Sequence, residues 1–398
     1  MRKSIILSSV FHLLIIMITA LSLPFLAKKP IDLPPIISVE LIHRETYKRR
    51  FIQPSILPNE IVDGHTDIVS ILSEEFAFPH DDEINSNHLY TIPNLGEAIA
   101  LRQHLDEIGQ IQPNIMTLHG CHVNQLSDHA AFRITPVLND LDQLSRWRVF
   151  SQQKSVKLPA FLHIDTGMTR LGFDTEQFDW LIENKSALNG VNCRYVMSHL
   201  VSAEIANDQT NARQLDAFHE VRQWFAGMPA SLANSAGSLL SPAYHFQMTR
   251  PGIALYGAHP ADLPIDKLKR VVTWQARIVQ LRHANAGDRV GYGGTYLLNR
   301  DSRIATIGVG YADGYNRKLG GKATVLIGTQ TAPVIGRVSM DSITVDATDV
   351  DPTHLRHGVV ELIHDGYDLS RMAADADTIA YEILTQLGSR PARHYQNS

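Results

Sequence analysis

The 398-residue sequence is short of cysteine and of recognisable metal-ligand spacings. Its two cysteines, Cys121 and Cys193, lack the paired spacing of a zinc site or a disulfide framework and read as buried thiols. None of the 19 histidines forms an H-x-x-x-H or H-E-x-x-H pair in a helical setting, so no metal site is expected. Lysine and arginine gather on no basic face and the formal net charge is -5, which argues against a nucleic-acid partner and for small-molecule chemistry. Internal repeats and low-complexity tracts are also missing. What is present, 44% hydrophobic and 19% charged residues, suffices for two globular domains with cores.

The N-terminus has its own texture. "SIILSSVFHLLIIMITALSLPFLA" (4–27) contains no charged residue, and at about 1.5 Å per residue it can cross a hydrocarbon core of about 30 Å. A membrane-spanning or signal-like segment is expected over 1–29. The run is long and lacks a good cleavage site, which favours an uncleaved anchor over a signal peptide. Arg2 and Lys3 precede it, whereas Lys28, Lys29, Arg44, Lys48, Arg49 and Arg50 follow, tipping the positive charge toward a cytoplasmic main body. "SVFH" and the following "KKPIDLPPIISVEL" resemble the anchors of TonB-type energy-transducing proteins. Residues 30–58 are a linker of unassigned structure.

From Leu89 to about Gly257, short apolar runs alternate with amphipathic helical stretches, the pattern of repeated β-α units on a parallel sheet. Strands are expected at 89–93, 114–118, 134–138, 161–165, 194–198, 230–234 and 249–253, with helices such as 95–105, 175–188 and 211–225 between them. A closed barrel of this kind needs eight strands, so "EIV" (60–62) is the expected first. After Pro264 the sequence turns to closely spaced strands with glycine turns. The expectation is a TIM-like α/β barrel over 59–262 with a degraded first strand, then a mainly β C-terminal domain over 263–398.

Barrels of this type place chemistry at the C-terminal ends of their strands, often holding phosphate after the last two. "FLHID" is followed by "TGMTR", so Arg170 is either a planar cation for an anionic oxygen or a surface residue after a turn. His199 ends the next strand as a site or core histidine. In "LANSAGS" (232–238), Asn234 and Ser235 can bind phosphate or simply cap a helix. In "RPGIALYG" (250–257), Arg250 precedes Gly252, whose missing side chain permits close approach of a ligand. "VGYGGTY" leaves Tyr292 accessible between glycines, though such a tyrosine is more often structural. "GVGYADGYNR" (308–317) and "GRVSMDSITVD" (336–346) are further polar loops at strand ends.

Together, "HIDTGMTRLGF", "ANSAGS", "RPGIALYG", "VGYGGTY", "GVGYADGYNR" and "GRVSMD" resemble the alanine racemase family over about Leu89 to Tyr395. The resemblance implies a fold-type III, pyridoxal 5'-phosphate (PLP) dependent enzyme that interconverts L-alanine and D-alanine for peptidoglycan precursor synthesis. It further implies a cytoplasmic homodimer with a shared site, to which the apolar run adds attachment to the inner membrane. By resemblance, Ser235 and the backbone at Gly252 and Ile253 bind the cofactor phosphate. Arg250 faces the pyridine nitrogen with His199 in support, Arg170 contacts the phenolic oxygen, Met340 N–H holds the substrate carboxylate, and Tyr292 is the base acting on L-alanine.

The first strand departs from the family pattern. "GHTDIVSILSEE" (64–75) matches the end of the usual lysine motif, aligning Asn59 with the lysine that forms the Schiff base and Asp63 with a phosphate-binding tyrosine. An asparagine amide cannot form the imine. Lys48, about a dozen residues upstream, is the nearest lysine before it. His163 replaces a lysine that many members carbamylate, and Ser389 replaces a tyrosine that some place on the phosphate. "FPHDDEINSN" (78–87) reads as an insertion. These departures keep two alternatives open: a non-catalytic PLP-binding or membrane-anchored homologue, and a dimer partner that lends Tyr292 to another barrel.

Overall fold

The computed structural model describes residues 39–40 and 89–396, apart from 108, 110–113, 261–267, 357, 388, 389, 393 and 394. The apolar run at 4–27, the expected strand at 60–62, Asn59, Asp63, the 78–87 insertion and Ser389 therefore lie outside the described residues. Among the described residues no helix is long and apolar enough to cross a membrane. β1 (Val39–Glu40) pairs in parallel with β17 (Tyr395–Gln396).

Seven parallel strands build the first sheet in sequential order: β2 (Leu89–Ile92), β3 (Asn114–Thr117), β4 (Ile134–Leu138), β5 (Leu158–His163), β6 (Val191–Met197), β7 (Ala230–Asn234) and β8 (Met248–Arg250). This is the expected TIM-like barrel, nearly closed. Its strands are continuous apolar runs because helices cover one face and the barrel interior the other. "ITPVL" is buried at every position. Three of the helices begin where an Asp side chain accepts a free N–H of the first turn, at Asp140, Asp174 and Asp208. Each such cap contributes about 1 kcal/mol. The expected helix over 175–188 divides at Asn184 into Thr175–Glu183 and a 3-10 turn, Lys185–Leu188.

The second unit is a closed antiparallel barrel ordered β12 (Ser302–Ile307), β15 (Ile343–Asp346), β14 (Gln330–Ile335), β13 (Thr324–Ile327), β16 (Val359–Ile363) and β9 (Trp274–Ala284), with β10 (Arg289–Val290) and β11 (Tyr296–Leu297) paired as a separate two-stranded ribbon. Closure removes the free edges that would otherwise pair with other chains. Two strands stop earlier than the apolar pattern suggests. β12 ends at Ile307 because the chain turns through Gly310, where a Cβ would lie 2.2 Å from the Met340 carbonyl oxygen. β14 ends at Ile335 before Gly336, whose φ of +68° turns the chain into the loop that carries Met340. Ile253, just past β8, packs into the core of this second unit with Val272, Trp274 and Ile383, so the end of the α/β barrel is fixed against the β domain.

Candidate active site

The C-terminal ends of β5 to β8 carry the first cluster. Asn234 resolves as a helix cap, its Oδ1 accepting from Gly237 N at 2.9 Å. Ser235 next to it is 1% exposed, and its Oγ accepts from Gly252 N–H at 2.7 Å and from Ala254 N–H at 3.5 Å. The Tyr381 hydroxyl, from the helix Ala380–Gln386 of the β domain, lies beside Ser235 and the Ile253 backbone. Tyr381 as a whole is 45% exposed, yet this end is enclosed, and burial is the main reason its phenol is raised above 10. No motif around Tyr381 marks it in the sequence; its place follows only from packing of the β domain on the barrel.

Arg250 ends β8 and is 8% exposed. It donates to Ser231 Oγ, to Ser198 O at 2.6 Å, to Leu232 O at 3.3 Å and to His199 Nδ1 at 3.4 Å. Burial, then the charge of Arg170, pushes it down to about 10, so it stays a cation at neutral pH. His199 is pushed well below 6.5 by burial, then by Arg250, Arg170 and His163, so it is neutral and accepts through Nδ1. His199 is thus a neutral hydrogen-bond acceptor for Arg250.

The loop 165–173 is closed on itself by Phe173 N–H to His163 O at 2.7 Å and Asp165 N–H to Phe173 O at 3.0 Å. The Asp165 carboxylate accepts three loop N–H groups, from Gly167, Met168 and Thr169, at 2.8–2.9 Å. This rigid loop presents Arg170, which has no hydrogen bond or ion pair among the described residues and lies within electrostatic reach of Arg250, His163 and His199.

A second cluster belongs to the β domain. Tyr292, 71% exposed, sits between Gly291 and Gly293, both at φ +75°. With Tyr311, Arg317, Val338 and Ser339 it lines a pocket of about 400 Å³, and among the described residues its lining is of the β domain alone. Met340 is 54% exposed, and its loop is held by Ala312 N–H to Met340 O at 3.0 Å and Tyr311 N–H to Ser339 O at 3.1 Å. The structure therefore brings Arg170, His199 and Arg250 together, and Ser235, Gly252 and Ile253 beside them, but sets Tyr292 and Met340 in a separate solvent-facing group.

Two family descriptions cover nearly all of this architecture. "Alanine racemase, N-terminal domain" matches residues 89–260 and "Alanine racemase, C-terminal domain" matches 271–395. The chain belongs to the alanine racemase family. An alanine racemase of Brucella suis is 41% identical over 320 residues, 77% of this chain and 80% of that protein, and one of Rickettsia bellii is 38% identical over 77% and 74%. The solved alanine racemase of Bartonella henselae, with covalently bound pyridoxal phosphate, superposes with a TM-score of 0.72 at 37% identity, covering 77% of this chain and 85% of that one. That of Acinetobacter baumannii gives 0.68 at 29%, over 77% and 85%. Neither family match extends to the residues before 89, and none of these matches supports the TonB-type likeness expected for the N-terminal run.

Members of this alanine racemase family depend on PLP, and most of the donor set here suits that cofactor. A Cβ built on Gly252 meets only Ser235 Oγ, at 4.0 Å, so a side chain there would fill the space beside the hydroxyl rather than clash. Buried Arg250 supplies a fixed cation for a neutral ring nitrogen. The exception is the attaching lysine. Among the described residues no lysine amine is a hydrogen-bonding or electrostatic partner of Arg250, His199 or Ser235, and Lys318 and Lys322, for example, are bound to Asp377 and to the Asp375 carbonyl.

Proposed function

We propose that this chain is an alanine racemase that interconverts L-alanine and D-alanine with PLP, acting as a dimer. The carrying observation is the Arg250, His199 and Arg170 cluster beside the Ser235 cradle, in a chain of this family. Ser235 Oγ–H and the N–H groups of Gly252 and Ile253 would hold the phosphate, joined by the Tyr381 hydroxyl from the β domain. Bound PLP supplies the electron sink that makes the α-proton of alanine removable. Arg250, held by Ser198, Ser231, Leu232 and His199, would keep positive charge beside the ring nitrogen and so disfavour its protonation. Arg170 would orient the phenolic oxygen.

Met340 N–H would hold the substrate carboxylate, and Tyr292 would remove or return the α-proton on one face. Because the described residues that line the Tyr292 pocket all belong to the β domain, that step calls for the barrel mouth of a second protomer, with the units taken as 59–262 and 263–398. The base for the opposite face is not assigned, since the sequence has no lysine between Lys48 and Lys154. Purified full-length protein with PLP and L-alanine should form D-alanine; a chain that binds PLP but forms none would be a non-catalytic homologue. The exposed Tyr292 also supports a second reading, a mixed dimer in which this chain lends Tyr292 to a lysine-bearing barrel. Mixing it with a racemase that has its lysine but lacks its tyrosine should then restore activity, and no rescue would rule this out.

A further inference from the structure

The chain leaving β6 at 198–200 has no regular structure, yet each of its three successive carbonyls has a side-chain donor from a different element. Ser198 O accepts from Arg250 Nη2 at 2.6 Å, His199 O from Gln214 Nε2 at 2.9 Å and Leu200 O from Asn234 Nδ2 at 3.4 Å. The other end of the Gln214 amide, Oε1, accepts from Val201 N–H at 2.9 Å. A carbonyl on one side and an N–H on the other leave that amide a single orientation. Gln214 is 1% exposed and lies on the helix Gln209–Trp224 three positions after Asn211, whose Nδ2 donates to Ile205 O at 3.0 Å. That spacing puts both amides on one helix face, against the same loop.

Hydrogen bonds connect Gln214 to Arg250 without a break. One route runs through the backbone of His199 and Ser198 to the guanidinium. A second passes from Gln214 Nε2 to Thr166 Oγ1 at 3.5 Å and on to Ser198 Oγ at 2.7 Å. The His199 ring itself is only weakly tied: its Nδ1 is 3.4 Å from Arg250 Nη2, longer than the usual separation of about 2.9–3.0 Å. So long a contact does not hold the imidazole in place, and the backbone beneath the ring must do so. Gln214 grips the carbonyl of that very residue, inside a buried and satisfied network of the kind that rigidifies its members.

We propose that Gln214 is a positioning residue for Arg250. Holding His199 O and Val201 N–H with one amide, it sets the peptide planes from which Ser198 O and His199 Nδ1 meet the guanidinium, and it touches no ligand itself. The role needs a neutral donor and acceptor at one side-chain end. An ionised glutamate keeps the acceptor for Val201 N–H but turns a second oxygen toward His199 O. What Arg250 serves, a PLP ring nitrogen, rests on the proposed racemase reading; the clamp does not.

The test is nitrogen-15 NMR of histidine- and arginine-labelled full-length protein without cofactor, with His199 assigned from His199→Gln and Arg250 from Arg250→Lys. Gln214→Glu should move both side-chain signals at pH 8. As the pH is lowered the buried carboxyl takes up a proton, regains a donor for His199 O, and should return both signals toward their wild-type positions. A residue that merely caps Val201 predicts wild-type signals throughout, and that result overturns the proposal. Gln214→Met is close in size and neutral at every pH; it should move both signals and show no return, and unmoved signals in this variant overturn the proposal even where the glutamate variant does not fold. In equilibrium dialysis Gln214→Met should also bind PLP more weakly, on the order of tenfold, as for the loss of one hydrogen bond to a charged group. Wild-type PLP affinity with moved signals would overturn the service to Arg250. The NMR readouts need neither PLP nor alanine, so the clamp and the proposed function stand or fall separately.

Discussion

Lowering the pH should destabilise this protein in a way that one histidine makes measurable. His163 is 6% exposed and its imidazole is pushed down to about 4 from 6.5, by burial first and then by Arg250, with Asp165 opposing and Arg170 adding. Above pH 6.5 the ring is neutral both folded and unfolded and contributes nothing. As pH falls below 6.5 the unfolded chain takes up a proton that the folded chain refuses, so stability is lost at up to about 1.4 kcal/mol per pH unit until the folded ring protonates near pH 4. Between pH 7 and pH 4.5 the loss from this residue is about 2.5 kcal/mol. His129, His199 and His245 are also depressed and add losses of the same sign, so the comparison must be with a variant. His163→Gln is uncharged at every pH and keeps a donor for Asn139 Oδ1, which lies 2.9 Å from His163 Nδ1. Urea unfolding at both pH values should show wild type losing about 2.5 kcal/mol more than the variant. Equal losses, or a larger loss in the variant, would refute the reasoning.

Gly252→Ala should leave unfolding unchanged within about 0.5 kcal/mol, because only Ser235 Oγ, at 4.0 Å, is near the added Cβ, yet weaken PLP binding on the order of tenfold in equilibrium dialysis. Tyr381→Phe should weaken PLP but not pyridoxal, on the order of tenfold, as expected for the loss of one hydrogen bond of about 1.5 kcal/mol to a charged group. Gly310→Ala places a Cβ 2.2 Å from the Met340 carbonyl oxygen, and calorimetry should show a loss of about 1–3 kcal/mol as the 336–342 loop is displaced.

The parallel barrel was legible because its buried strands are short apolar runs at regular spacing, and two of them, Ile134–Leu138 and Ala230–Asn234, have the expected bounds. The ends of the β-domain strands were less legible. "RIATIGVGY" and "VIGRVSM" are apolar beyond Ile307 and Ile335, and only the close approach of Gly310 to Met340 and the positive φ of Gly336 explain why pairing stops. Arg250, His199 and Ser235 could be placed from strand-end position alone, since that is where this architecture gathers polar groups. Tyr381 and Gln214 could not: each meets the site through a neighbour more than a dozen residues away, Ser235 and His199, in a sequence context that reads as ordinary helix. The segment 232–238 was open between a phosphate site and a helix cap; the structure shows the cap at Asn234, whose Oδ1 accepts from Gly237 N–H.

The central claim is that this chain turns over alanine with Tyr292 as one base. The direct measurement is chiral chromatography of alanine after incubating L-alanine and PLP with purified full-length protein and with Tyr292→Phe. The account predicts D-alanine from the wild type and at least a hundredfold less from the variant, roughly the contribution of one positioned acid-base group. No D-alanine from the wild type, or equal amounts from both proteins, would contradict it.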